Sequence, residues 1–207
     1  VPSSLSYAAG TFIDGFFERA ITASSSNYDF PVGVSQIQLA QLSFDNLTTG
    51  SLRLRYYETD PLGSGLPLFD TDGQQIAFEY NDGYWTSLAQ NGLASTDYDI
   101  RLDASGFNDP DAVNSTSRII KRTGTGAWGI DGTPGAYAAS VVERLACSGI
   151  DNVSGSHFGI GTGNCAEFSG HPADLTRCSG DNAVFSVSVS GGYGVVSYQW
   201  LKDGDVL

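Results

Sequence analysis

The chain has 207 residues, room for one large domain or two small ones, and carries 23 acidic against 10 basic side chains for a net charge of −13. That balance argues against partners that are nucleic acids or anionic membrane surfaces, and no apolar run is long enough to cross a bilayer as a helix. With 26 glycines, 12% aromatic residues and abundant Ser, Thr, Asn and Asp, the composition suits short strands joined by many turns.

The chain opens Val-Pro without Met or a signal-like apolar run, which is expected of a processed end or an internal cut. Along it, period-2 alternation dominates. In VSQIQLAQLSF (34–44), Ile37 and Leu39 share one phase and Leu42 and Phe44 the other. That slip predicts a β-bulge near Ala40–Gln41. SLRLRYYE (51–58) sets Leu52, Leu54 and Tyr56 against Arg53, Arg55 and Tyr57. DYDIRLDA (97–104) sets Tyr98, Ile100 and Leu102 against Asp99, Arg101 and Asp103. Each pattern predicts a strand with one buried and one wet face. PGAYAASVVERLA (134–146) has apolar residues four apart, but its adjacent valines and its surroundings favour a strand. In VFSVSVSG (184–191), Phe185, Val187 and Val189 alternate with serines. Thr49-Gly50, Asp72-Gly73, Asn81-Asp82-Gly83, Asn91-Gly92 and Asp131-Gly132 mark turns between the strands. The expected fold is all-β, an antiparallel sandwich over residues 1–165. A Gly/Pro/polar linker is expected at 166–175, and a second sandwich opens at 176.

Cys147, Cys165 and Cys178 make an odd count. In an extracellular chain that predicts one pair and one thiol whose partner lies elsewhere. The expected bridge is Cys147–Cys165, with Cys178 awaiting a cysteine beyond Leu207. A zinc set of Cys147, His157, Cys165 and His171 has no familiar spacing. The final stretch SYQWLKDGDVL gives a strand, an Asp-Gly turn and half a strand, so the chain is expected to be a piece cut inside a domain.

Two resemblances carry this reading further. CSGDNAVFSVSVSGGYGVVSYQWLKDGDVL (178–207) resembles the start of a bacterial immunoglobulin-like repeat, through Cys178-Ser179-Gly180, the Phe185/Val187/Val189 strand, Gly191, Tyr198-Gln199-Trp200 and Lys202-Asp203-Gly204. The resemblance implies a core position for Trp200 and a late-strand partner for Cys178. FPVG (30–33), LRYYE (54–58), GYW (83–85), YDIRL (98–102), RIIKR (118–122), Trp128, Asp131-Gly132 and FGIG (158–161) resemble a β-sandwich module of large type IX-secreted surface proteins of Bacteroidota. That resemblance implies an adhesin-like, structural role, with Trp85 and Trp128 as core aromatics and no catalytic set. The Cys147/Cys165 pair is a departure from its pattern.

Chemistry-bearing motifs are sparse. Only His157 and His171 can act as imidazole bases, and Ser156 and His157 point to opposite faces if they lie on a strand. GIGTG (159–163) precedes no helix, which disfavours a phosphate cradle. Among Glu58, Asp60, Asp70, Asp72, Glu79 and Asp82 no spacing singles out a glycosidase pair. FDTDG (Asp70, Asp72) and FNDPD (Asp109, Asp111) are candidate calcium loops, with ordinary Asx turns as the favoured alternative. Tyr56, Tyr57, Tyr80, Tyr84, Trp85 and Trp128 are candidates for stacking on glycans, about half of them expected in the core. The expectation is a non-catalytic structural or adhesive segment of a large extracellular, cell-surface or secreted protein. It would connect to further domains of the same chain, forming a stalk, filament or homo-oligomeric appendage. A glycan-binding accessory module of a polysaccharide-degrading enzyme is the alternative, with a cell-surface glycan as partner and no membrane insertion.

Overall fold

The structure, a computed structural model, describes residues 5–150, 155–163, 167–170, 172–190, 199–203, 205 and 206. It divides into two units, 1–163 and 164–207. The first contains β1 (Phe17–Ile21), β2 (Tyr28–Gly33), β3 (Ile37–Asp45), β4 (Gly50–Tyr57), β5 (Leu68–Phe69), β6 (Gln75–Ile76), β7 (Phe78–Glu79), β8 (Tyr84–Gln90), β9 (Asp97–Asp103), β10 (Arg118–Thr123), β11 (Thr133–Ala138), β12 (Val141–Ser148) and β13 (Ser156–Thr162). The second contains β14 (Glu167–Gly170), β15 (Ser188–Ser190), β16 (Leu201–Lys202) and β17 (Asp205–Val206).

Alternation in the sequence becomes two packed antiparallel sheets. One runs β1-β4-β8-β13-β10, with β7 beside β8 along the same edge of β13. The other runs β11-β12-β9-β3-β2. Leu52, Leu54, Tyr56, Trp85, Phe158 and Ile160 from the first sheet face Phe30, Leu42, Phe44, Tyr98, Ile100 and Leu102 from the second, all buried. Such side chains each contribute about 1.5–3 kcal/mol when withdrawn from water. The Trp85 indole crosses the interface to donate from Nε1 to the Gln38 carbonyl at 2.9 Å, which satisfies a polar handle that burial would otherwise penalise.

Three expectations about strands are corrected. β3 is unbroken, pairing residue by residue with both β2 and β9. Gln38, Ala40, Leu42 and Phe44 form its buried face, and Ile37 and Leu39 lie on the other. Apolar side chains on both faces of one strand mimic a phase slip. The irregularities lie instead in β11 at Pro134/Tyr137 and in β12 at Arg144/Cys147. The stretch 134–146 is not one strand but the hairpin β11–β12, turned at Ala139-Ser140, both at positive φ. The segment expected as a linker holds β14, which pairs with β15.

In the second unit, β16 and β17 pair Leu201 with Val206 and Lys202 with Asp205. Of the expected strand around Phe185, only Ser188–Ser190 is paired, and Phe185 is exposed. Trp200, expected in a core, is 42% exposed. The described strands of this unit form two separate two-stranded ladders, which offer the ring no opposing sheet.

Candidate binding surface

The two outer faces of the first unit differ chemically, because the residues that alternate with the core differ. On the five-stranded sheet, Asp29, Gln41, Arg101 and Glu143 are direct cross-strand neighbours. They form a polar ladder: Gln41 donates to Asp29 at 2.7 Å, and Arg101 reaches Gln41 at 3.4 Å and Glu143 at 2.6 Å. Glu143 also accepts the Ala136 N–H of edge strand β11 at 2.9 Å. This face is internally satisfied.

The outer face of the other sheet is half covered. Glycines open space along β13: a Cβ on Gly159 would meet the Trp128 ring at 3.1 Å, and one on Gly161 would meet Ile76 at 2.6 Å. Ile76, Ile120 and Trp128 form a small cluster there, packed against Leu66, Leu68 and Ile130. The GIGTG stretch is therefore a strand whose missing side chains seat a covering loop. Arg122 fastens that cover, with its guanidinium 4.0 Å from the Trp128 ring centre and hydrogen bonds to the Pro61 and Leu62 carbonyls at 2.7 and 3.3 Å.

The other half, over β1, β4 and β8, has no such cover among the described residues of this unit. Arg55, Thr86, His157 and Arg122 stand in one cross-strand row, and Tyr57 faces Tyr84 in the next. The Tyr57 and Tyr84 rings lie 5.2 Å apart at 12°. Arg55 lies 4.4 Å from the Tyr57 ring centre, and His157 packs 5.2 Å from Tyr84. Phe16, just before β1, is 52% exposed and has Arg53 and Arg55 at 4.8 and 5.5 Å from its ring centre. Cation–π contacts of this kind contribute about 0.5–1 kcal/mol each when exposed. Phe16, Arg53, Tyr57, Thr86, Leu88 and His157 line an open groove of about 200 Å³.

Hydrogen-bonding capacity is left over at this surface. The Nε–H groups of Arg53 and Arg55 and the Nδ1 of His157 are buried without a hydrogen-bond partner among the described residues. Arg101, Arg118, Lys121 and Arg144 all have carboxylate partners, whereas Arg53 and Arg55 pair with none among the described residues. Glu18, opposite Arg53 across β1–β4, accepts from Ser51 and Asn91 instead. Burial, and secondarily the Arg122 charge, hold His157 below the usual imidazole range.

The candidates read from sequence are dispersed. The Asp70 oxygens, candidates for calcium, are taken up by arginines: Arg144 grips them in a two-pronged contact at 2.8 Å and Arg118 lies 3.2 Å away. Asp72 accepts from Arg118 at 2.6 Å and from the Gln74 N–H at 3.0 Å. Two guanidinium groups repel the cation these oxygens were expected to hold. Asp109 precedes a single 3-10 turn, Pro110–Ala112, that includes Asp111, and makes no side-chain cap to it. Among the described residues no three metal-ligating side chains converge.

Cys147 is a buried free thiol, 3.7 Å from the Asp131 carbonyl, and Cys178 is an exposed one. Burial, then the Asp131 charge, pushes the Cys147 thiol up to about 12. The expected partner, Cys165, lies outside the described residues, as does His171. Cys147 lies in the core and His157 on the outer face of the opposite sheet, so the zinc set does not assemble. Ser156 faces inward beside the outward His157, as strand geometry requires.

Glu58 accepts from Ser35, Asp60 from the Leu62 N–H and Asp82 from the Asn108 N–H. Burial, with a smaller push from the Asp60 charge, raises the Glu79 carboxyl. Of the aromatic candidates, Tyr56, Tyr80, Trp85 and Trp128 are buried, and only Tyr57 and Tyr84 reach the outer face. Phe16 and the arginines were not singled out from the sequence. The signal was present in Arg53, Arg55 and Tyr57, which alternate with the buried residues of β4.

Comparison with known proteins brings no relative to this surface: no family model, no curated protein and no solved structure matches the chain.

Proposed function

We propose that the chain is a non-catalytic, adhesive β-sandwich segment of an extracellular multidomain protein, and that it holds a carbohydrate against the β1, β4 and β8 half of its six-stranded sheet. The observation that carries this reading is the groove beside Phe16, where an exposed ring adjoins aromatic groups and guanidinium groups that have no carboxylate partner among the described residues. Sugars present apolar C–H faces and hydroxyl edges together, and an aromatic face bordered by hydrogen-bond donors complements both. Tyr57 and Tyr84 stack on one another rather than lying coplanar, which leaves Phe16 as the main ring for contact and the tyrosines as its flank. The resemblance to type IX-secreted surface modules supports an adhesive setting.

A polysaccharide array probed with the full chain tests this. Retention on at least one polysaccharide is expected, with loss of about tenfold in affinity or more for Phe16→Ala. Phe16 precedes its strand and is half exposed, so the variant folds, with a stability loss no larger than its two cation–π contacts supply, about 1–2 kcal/mol. A folded chain that retains no polysaccharide refutes the reading.

A further inference from the structure

Building on that carbohydrate-binding reading, we infer that the ligand is an anionic polysaccharide, a polymer of uronate or sulfated sugars, whose acidic groups engage Arg53 and Arg55 while a sugar ring lies against Phe16. The chain carries a net charge of −13, yet some of its arginines have no carboxylate partner among the described residues. Two stand here, two residues apart on one face of β4, with no ion pair among the described residues. Both sit below one exposed aromatic ring; their Nε–H groups are buried, so the terminal nitrogens are the donors left to meet an acidic group. Guanidinium groups recognise carboxylate and sulfate through directed, charge-assisted hydrogen bonds. Positions two apart on a strand are about 7 Å from one another, so a polymer with charges on successive sugars engages both.

The charge pattern also selects among polyanions. A duplex carries one charge per roughly 1.7 Å and is held by many cations at once. Two arginines and a neutral His157 on a strongly acidic chain do not meet that demand, whereas a more sparsely charged sugar polymer needs few contacts. Glu18 and Glu79 lie near the ends of the row and limit the cationic stretch to a short segment.

The test compares matched polymers, using the full 207-residue chain in titration calorimetry: dextran sulfate against dextran, and polygalacturonate against its methyl ester. Binding is expected for a charged member and not for its neutral counterpart, weakening about tenfold between 50 and 500 mM NaCl. Arg53→Gln with Arg55→Gln is expected to weaken it about tenfold or more, and the corresponding double Lys variant to retain part of it. If the Gln variant does not fold, the salt dependence of the wild type and the Lys variant decide. Equal binding to charged and neutral members overturns the anionic assignment and leaves the carbohydrate reading standing. Binding to none of the four overturns the anionic assignment, and the carbohydrate reading falls with it if the chain also retains nothing on the polysaccharide array. Tighter binding to a single-stranded oligonucleotide also overturns the inference. So does concentration-dependent self-association, in sedimentation, that the Gln variant abolishes.

Discussion

Asp70 and Arg144 are both buried, and both terminal nitrogens of the guanidinium bond the carboxylate at 2.8 Å. Burial raises the Asp70 carboxyl, but hydrogen bonds from Arg144 and the Thr71 N–H, together with the Arg144 charge, outweigh it and hold the group below the usual carboxylate range. Breaking a buried pair from one side leaves an uncompensated charge, at a cost of about 3–5 kcal/mol. Asp70→Asn is therefore expected to lower stability by about that amount in denaturant titration, and Asp70→Leu with Arg144→Met to recover more than half of it. Cys147 gives a second prediction at this scale. Its buried thiol stays protonated, so peptide mapping of the unreduced protein should find it alkylated by iodoacetamide only after denaturation. Failure to alkylate it without a reductant, even when denatured, shows that it is bridged.

The β11–β12 hairpin is joined by two residues, Ala139 and Ser140, at φ 49° and 66°. Two-residue loops of this kind match the strand twist, but they put both residues in a region that Asn and Gly tolerate and Ala does not. Ala139 is exposed, and Ala139→Asn is expected to stabilise the protein by about 0.5–1 kcal/mol in the same titration. A neutral or destabilising result places the φ elsewhere. The Asn91-Gly92 turn shows the favoured chemistry at φ 54° and 81°. Its Asn-Gly pair announced it in the sequence, whereas Ala-Ser carries no such signal. The same absence of a turn signal made one strand of what are two.

Across the whole molecule, proton linkage should separate two sets of groups. His157 is held below its ordinary value of 6.5, so the unfolded chain binds the extra proton first. Its contribution is complete above about pH 6.5 and is lost as pH falls through that value toward the folded one. Asp70 and Asp131 are lowered from 3.8, so theirs persists above about pH 4 and is lost only below. Melting temperature should thus decline in two stages on acidification. His157→Gln should remove its contribution to the first and leave the second, and an unchanged first stage would assign it elsewhere. The charge pattern works at this scale too. The five-stranded face ties Asp29 and Glu143 into one ladder with Gln41 and Arg101, while the opposite face leaves Arg53 and Arg55 without a carboxylate partner among the described residues.

The sequence by itself determined the all-β class, the buried and wet faces of β4 and β9, and the turns at Asp72-Gly73 and Asn91-Gly92. Period-2 alternation and the φ preferences of Asn and Gly act over a few residues and need no distant partner. It did not show that β3 carries apolar residues on both faces without a bulge, because a phase slip and a two-sided strand leave the same local trace. Nor did it show that Asp70 meets Arg144 from 74 residues away, which gives the candidate calcium loop a buried ion pair. The candidate surface was half legible. Alternation placed Arg53, Arg55 and Tyr57 on one face of β4, while Tyr84 was only one of several aromatic candidates. Only the pairing of β1, β4, β8 and β13 brought these residues together with Phe16 and His157. Alternation says which side chains share a face, and tertiary structure alone decides whether that face meets a core, a covering loop or solvent.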